Sequence, residues 1–318
     1  MLKRAQVIIC TGVFIVGGFC QAQKSILIGD LKDKQTTQPI PYAHIIFTGT
    51  KYGTTANDKG RFLLEVDSTL LDENVRISCI GYQSKVLPSN ELSNSVIYLT
   101  PMVEKLEQVV LYDHKDKEHS RTLNPFSGKQ WVGLGNFSGG AYPSVLARYY
   151  PNDFKTDENV YLDEVTVYLN APYKWETKFK LRVFSANNDL SPAEDLLRSN
   201  LVIQTHKSQR KIKISLAEYG IKVPENGFFI AVEHLFILEN QYEEQLDLRV
   251  GDSLYHDVKT MRYGPIFRGV QEKPDASNAY YRSNQGWKSM NKLKLSGQGN
   301  TFKNGKSVSP AFKVKVVY

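Results

Sequence analysis

Gln38-Pro39-Ile40-Pro41-Tyr42-Ala43-His44-Ile45, Gly49-Thr50-Lys51-Tyr52-Gly53-Thr54, Asn57-Asp58-Lys59-Gly60-Arg61-Phe62 and Ser78-Cys79-Ile80-Gly81-Tyr82 follow one another between Ser25 and Thr100 of this 318-residue chain. The residues around them alternate with a period of two, as half-buried strands require. Ala43, Ile45 and Phe47 fall on one face of one strand, and Phe62, Leu64 and Val66 on one face of another. Gly49 to Gly53 and Asn57-Asp58-Lys59-Gly60 supply strand reversals, because Gly and Asn tolerate the positive φ of tight turns. Val96 and Tyr98 read as a last strand that Pro101 ends, since proline has no N–H for another ladder bond. Short strands and turns over this length fit a small two-sheet sandwich.

In order and spacing these residues resemble the carboxypeptidase-like regulatory domain, a transthyretin-like β-sandwich common at the N-termini of Bacteroidota envelope proteins. Leu31 stands where that family more often has Val, and Ala56 where Thr or Ser is common; both changes are conservative for a packed strand. In metallocarboxypeptidases the similar domain is an appendage without catalytic residues. The resemblance therefore implies an envelope address and a building block, and no catalytic residue is carried over. Leu106-Glu107-Gln108-Val109-Val110-Leu111 also resembles the segment after the same domain in TonB-dependent outer-membrane receptors, where it contributes to energy coupling. The chain departs from that pattern at Tyr112, and the remainder is too short for a plug and a large barrel. On pattern alone the segment is a terminal strand or extended linker.

Residues 1–23 read as a secretory signal. Lys3 and Arg4 give the positive start, Val7 to Phe19 the apolar run and Gln21-Ala22-Gln23 a cleavage region. The apolar run is shorter than the roughly 18 residues a spanning helix needs. Phe19 beside Cys20 makes a poor lipid-attachment site, and no later segment is apolar enough to cross a bilayer. Loss of Lys3 and Arg4 takes the formal charge from +7 to +5. That surplus is spread along the chain, which argues against nucleic-acid binding and suits solubility near an anionic surface. Cys10 and Cys20 lie in the leader, so Cys79 stands alone and closes no internal disulfide. Alternation through Val75 and Ile77 makes it a small buried hydrophobe.

From Pro125 to Tyr318 strand-like runs dominate again: Leu162 to Leu169, Phe179 to Phe184, Leu201 to Thr205, Lys211 to Ser215, Gly227 to Ile237 and Ala311 to Tyr318. Pro192 to Arg198 reads as a helical turn. The expected organisation is a leader at 1–23, the regulatory-like domain at 24–101, a strand and charged linker at 102–124, and a larger jelly-roll-like β-sandwich at 125–318. The fold class is all-β. The second half resembles an uncharacterised domain that follows the regulatory domain in similar envelope proteins, through Lys180-Leu181-Arg182-Val183-Phe184, Ile221-Lys222-Val223-Pro224 and Gly227-Phe228-Phe229. It implies no activity.

Chemistry-bearing patterns are sparse. Gly133, Gly135, Gly139 and Gly140 are followed by no Gly-Lys-Ser/Thr, so no phosphate loop is expected. His206, His234 and His256 are scattered without metal-ligand spacing, and His114 and His119 sit in a charged, solvated run. Glu233 and His234 are strand neighbours and point to opposite faces, which makes His234 a core histidine. Asn187, Asp189 and Asp195 offer oxygen ligands that calcium accepts, and equally fit a local Asx turn. No Gly-x-Ser-x-Gly elbow occurs, and Glu243-Glu244 in a polar loop is poor acid/base geometry. Tyr280, Tyr281, Arg282 and Trp287 form the most suggestive cluster, since flat rings beside polar donors suit a sugar, although sandwich cores use the same residues. Asp67-Ser68-Thr69 and Asp252-Ser253-Leu254 match a short O-glycosylation signal of envelope proteins, at Ser68 and Ser253; they fit ordinary loops as well.

These observations lead to an exported, periplasmic or outer-membrane-associated protein without enzymatic activity or cofactor. It binds a glycan or an envelope protein, as a binding or scaffolding module or an accessory to TonB-dependent uptake. A secreted carbohydrate-active hydrolase and a purely structural or adhesive protein are the alternatives.

Overall fold

The computed structural model describes residues 24–50, 52–102, 119–124, 126, 131–136, 143–155, 159–170, 175–250, 253–273, 279–283, 286–292 and 306–318. Residues 1–23, expected to form a leader, and Leu106 to Leu111, His114, Gly139 and Gly140 lie outside them. The protein is all-β, with only short 3-10 turns between strands among the described residues.

The first domain comprises β1 (Lys24–Asp33), β2 (His44–Phe47), β3 (Gly53–Thr55), β4 (Arg61–Asp67), β5 (Asn74–Ser78), β6 (Lys85–Pro88) and β7 (Ser95–Leu99). They make two sheets, β4-β1-β7 and β3-β2-β5-β6, in which β1 runs parallel to β7 and antiparallel to β4. The inward faces read off the alternation meet between the sheets: Leu27, Phe62 and Leu64 from one, Ile45, Phe47 and Ile77 from the other. The reversal before β4 works as its residues predict. Asn57 Oδ1 accepts the N–H groups of Lys59 and Arg61, each at 2.9 Å, and Gly60 takes φ +72°. A Cβ there would also stand 2.7 Å from the Leu31 carbonyl, so glycine is required twice over.

The second domain begins with β8 (Ser120–Leu123), β9 (Trp131–Leu134), β10 (Val145–Tyr150), β11 (Tyr161–Tyr168), β12 (Thr177–Ala186), β13 (Pro192–Asp195), β14 (Val202–Thr205) and β15 (Lys211–Ser215). It continues with β16 (Phe228–His234), β17 (Gln241–Val250), β18 (Ser253–Tyr263), β19 (Phe267–Glu272), β20 (Ala279–Ser283), β21 (Gly286–Ser289), β22 (Ser307–Pro310) and β23 (Phe312–Val317). One layer is the sheet β13-β12-β16-β10-β20-β21, with β14 beside β12. The layer facing it holds the sheets β15-β11-β23-β8 and β22-β19-β9. Between the layers the inward residues interdigitate, with Phe179 edge-on to Phe267 at 5.1 Å. The result is a larger β-sandwich.

Two expectations are corrected. Pro192 to Arg198 is no helical turn, because β13 pairs with β12 and Asp195 is drawn to Arg182. Glu243 and Glu244 are not in a loop but on the long hairpin β17–β18. There they face Lys259 at 3.0 Å and Arg262 at 3.2 Å across the strands, pairing that favours a ladder over a loop.

Buried Asn240 fixes the path into that hairpin. Its Oδ1 accepts the Lys178 N–H at 2.7 Å, and its Nδ2 donates to the carbonyls of Lys178 at 2.7 Å and Leu235 at 2.9 Å. Truncation strands one backbone N–H and two carbonyls. Asn240→Ala is therefore expected to lower the unfolding free energy by about 2 kcal/mol in urea titration, and a loss under about 0.5 kcal/mol would refute the assignment.

Candidate functional site

The two sandwiches meet through sheet faces that point away from their own cores. On β2, Ile45 and Phe47 go inward, so His44 and Ile46 go outward, beside Arg76 and Ser78 of β5 in register. In the second domain the same alternation turns Leu181, Val183, Ile230 and Val232 into the main core. It leaves Lys180 and Arg182 of β12, Glu233 of β16, Val145 of β10 and Arg282 of β20 on the opposite face. Arg282, Val145, Glu233 and Lys180 form one cross-strand row, since Val145 is paired with Arg282 and with Glu233, and Glu233 with Lys180.

The two faces close on each other through polar groups. His44 Nε2 lies 2.5 Å from Glu233 Oε1, and His44 Nδ1 lies 3.2 Å from Thr55 Oγ1. Glu233 is an ionised carboxylate and can only accept, so Nε2 carries the imidazole proton to it, and with the ring neutral Nδ1 accepts the Thr55 hydroxyl, whose oxygen also accepts the Phe236 N–H at 3.0 Å. Burial pushes the His44 pKa down, although Glu233 opposes this, which agrees with a neutral ring. Lys180 Nζ donates to the Tyr42 carbonyl at 2.7 Å, and Asn200 Nδ2 to the Pro41 carbonyl at 3.3 Å. Arg182 donates to Glu233 Oε2 at 2.7 Å and forms a close pair with Asp195. Burial alone would raise the Glu233 carboxyl, but His44, Arg182 and Lys180 together hold it well below the usual carboxylate range.

Beside this junction a cleft of about 490 Å³ opens between the domains. Its roof carries His44, Arg76 and Cys79, and its floor Lys180, Arg182, Glu233 and Arg282. Four cations thus stand against Glu233 and, behind Arg182, Asp195. Arg76 and Arg282 form no ion pair among the described residues, and the Arg282 guanidinium lies 5.8 Å from the Trp287 ring. A second recess of about 310 Å³, at the base of the hairpin, holds Tyr242, Asn170 and Tyr263; there the charges Glu244 and Arg262 are already paired.

The cleft also places a histidine and a thiol on one wall, but neither is armed. Both His44 nitrogens are committed: Nε2 donates to Glu233, and the Nδ1 lone pair is engaged by the Thr55 hydroxyl. Burial raises the Cys79 thiol, which keeps it protonated. Cys79 is not the fully buried hydrophobe of the strand pattern. It stands just beyond β5, half-buried, with Sγ 3.9 Å from the Pro41 carbonyl and 3.8 Å from Asn200 Nδ2.

The expected site residues separate. Arg282 lines the cleft, whereas alternation on β20 turns Tyr281 onto the main core and keeps Tyr280 on Arg282's face. Trp287, paired with Arg282, shares that outer face and sits edge-on to Phe184 at 5.2 Å, while Tyr280 sits edge-on to Phe229 at 5.6 Å. Tyr281 and Trp287 therefore cannot flank one sugar. The calcium set does not converge either. Asp189 Oδ1 accepts the Ser191 N–H at 3.0 Å and hydroxyl at 2.6 Å, Asn187 Nδ2 donates to Ser191 Oγ at 3.1 Å, and Asp195 serves Arg182. Among the described residues no three His, Cys, Asp or Glu side chains gather to hold a metal. Ser68 is half-buried in a turn that Asp67 caps, and Ser253 is exposed at the start of β18. His234 is buried beside Phe267, with Nδ1 3.2 Å from the Ser144 carbonyl.

No curated protein matches the chain. Among solved structures, the cysteine protease and lectin-like domains of Cwp84, a surface layer associated protein of Clostridium difficile, are 12% identical with a TM-score of 0.32, over 60% of this chain and 36% of that one. This chain thus spans about a third of that structure's length. The Clostridial cysteine protease Cwp84 after propeptide cleavage is 9% identical with a TM-score of 0.36, over 93% of this chain and 71% of that one. Residues 27–111 match the model of the CarboxypepD_reg-like domain, so the chain's first sandwich, with its turn at Asn57 to Gly60 and its outward His44, is a carboxypeptidase-regulatory-like domain.

Proposed function

We propose that this protein is a non-enzymatic binding protein of the cell envelope, and that the cleft between its two sandwiches is the ligand seat. The observation that carries the reading is the excess of cations in that cleft: Arg76 from one domain and Arg282 from the other, neither in an ion pair among the described residues. Stability accounts for Lys180 and Arg182, which hold the junction, but gives no reason to bring Arg76 and Arg282 beside them, because like charges repel. A concave site between domains, of a size for a small molecule, is where ligands are ordinarily held. The committed nitrogens of His44 and the protonated thiol of Cys79 favour holding over transforming. The charged start and apolar run at Lys3 to Phe19 support export. An accessory role in TonB-dependent uptake is a narrower form, motivated by Leu106 to Leu111.

A glycan array probed with the mature protein tests the reading. Signal is expected for the wild type and lost for Arg282→Glu with the melting temperature kept. Signal that survives Arg282→Glu would place the ligand elsewhere, and cleavage of a bound glycan, read by mass spectrometry, would end the non-enzymatic reading.

A further inference from the structure

The face of the second domain's sheet that floors the cleft does not stop at its charged row. Two cross-strand rows further along lie Tyr149 of β10, Phe229 of β16 and Phe184 of β12, with Tyr280 and Trp287 over them. Phe184 and Phe229 are fully covered, whereas Tyr149, Tyr280 and Trp287 are each half-open to solvent. Tyr149 lies 5.3 Å from Phe229, and Trp287 and Tyr280 rest edge-on to Phe184 and Phe229, so a continuous aromatic strip runs along this face. Arg282 stands where the strip meets the cleft. Its guanidinium lies 5.8 Å from the Trp287 ring, and its neighbours in the row are Val145 and Glu233.

Guanidinium groups match oxyanions as planar forks, and aromatic faces accept the apolar C–H face of a sugar ring. The two chemistries adjoin here on one rigid sheet, with a third element, Arg76, facing them from the other domain. We infer that the cleft takes an acidic saccharide, its oxyanion held between Arg76 and Arg282 and its neighbouring sugar units laid along Trp287 and Tyr280. This deepens the binding reading above and rests on it. An acidic peptide would use the cations without needing the strip, and a neutral glycan the strip without the cations. The oxyanion is a uronate carboxylate or a sulfate ester, which the probes separate.

Titration calorimetry on the mature protein uses trigalacturonate, its fully methyl-esterified form, a sulfated galactan oligomer, inorganic sulfate and hexaglutamate. At least one acidic saccharide is expected to bind and the ester not to. Arg76→Gln and Arg282→Gln should each weaken the acidic saccharide about 10-fold or more, the range set by losing a charge-assisted hydrogen bond. Trp287→Ala should weaken the saccharide and leave inorganic sulfate unchanged. Arg76 and Arg282 are exposed and hold no structural pair among the described residues, so these variants are expected to melt like the wild type. If Arg282→Gln misfolds, Arg76→Gln carries the test. Equal binding of the ester would overturn the acidic ligand and leave the cleft as the seat. Hexaglutamate binding as tightly, with Trp287→Ala silent, would overturn the saccharide. Acidic-saccharide binding indifferent to both arginines would overturn the cleft itself, and with it the proposed function. No binding by any probe would overturn this inference alone.

Discussion

Glu233→Ala is expected to destabilise the protein by about 3–5 kcal/mol, the range for removing one partner from a buried ion network. Glu233 is 5% exposed and touches two partners at once. One carboxylate oxygen accepts a hydrogen bond from His44 Nε2–H, and the other accepts one from Arg182 NH1. Without it, Arg182 keeps Asp195, but His44 keeps a buried N–H with no acceptor and Lys180 loses the nearest carboxylate to its row. Because His44 belongs to the first domain and Glu233 to the second, the loss falls on their junction. The measurement is urea unfolding followed by two probes, one in each domain. The expected outcome is a lower midpoint and the appearance of two transitions, since an interface of polar bonds couples the domains only while those bonds are made. A single transition with the wild-type midpoint would show that the junction is held by something other than this network.

The first sandwich is legible in the chain because its information is local. Turn residues such as Asn57 and Gly60 act within four positions, and the period-two alternation of Ala43, Ile45 and Phe47 names the buried face. Six strands of the second domain are legible for the same reason, most of them within a residue or two at their ends: Lys211 to Ser215 is β15 as read, whereas the run from Gly227 to Ile237 overshoots β16, which ends at His234. Pro192 to Asp195 is not, because its strand state depends on pairing with β12, a partner that local propensity does not see.

The cleft is less legible, since it is built from faces turned away from both cores. Alternation that sends Ile45 inward sends His44 outward, and no local pattern says that a second domain will bury it. A signal exists nonetheless. Phe228 to His234 is buried throughout, so Glu233 within that run demands a cation, and Lys180 and Arg182 recur at strand period in the neighbouring apolar run. The aromatic cluster fails differently. Tyr280, Tyr281, Arg282 and Trp287 are adjacent in sequence, but a strand sends neighbours to opposite faces, so Tyr281 leaves the group that Tyr280, Arg282 and Trp287 keep.

Acid is expected to unfold this protein earlier than its carboxylates alone would dictate, and His234 is the residue to test. Its side chain is fully buried, donates Nδ1–H to the Ser144 carbonyl at 3.2 Å and packs edge-on to Phe267 at 5.2 Å. Burial pushes its pKa down to about 4. An unfolded histidine titrates near 6.5, so between these values the unfolded chain binds a proton that the folded chain refuses. The folded state is therefore favoured fully above pH 6.5, and that advantage is lost as the pH falls towards 4. At about 1.4 kcal/mol per pH unit the loss is about 3 kcal/mol from this residue. His44, lowered in the same direction, adds to it, and Glu233 adds its share at lower pH still, since a depressed carboxylate stabilises only while ionised. His234→Gln keeps a donor for the Ser144 carbonyl and removes the titration. Urea unfolding at pH 7 and pH 4 should show the variant losing about 3 kcal/mol less than the wild type over that interval. Equal losses would mean that His234 opens to solvent before the fold gives way.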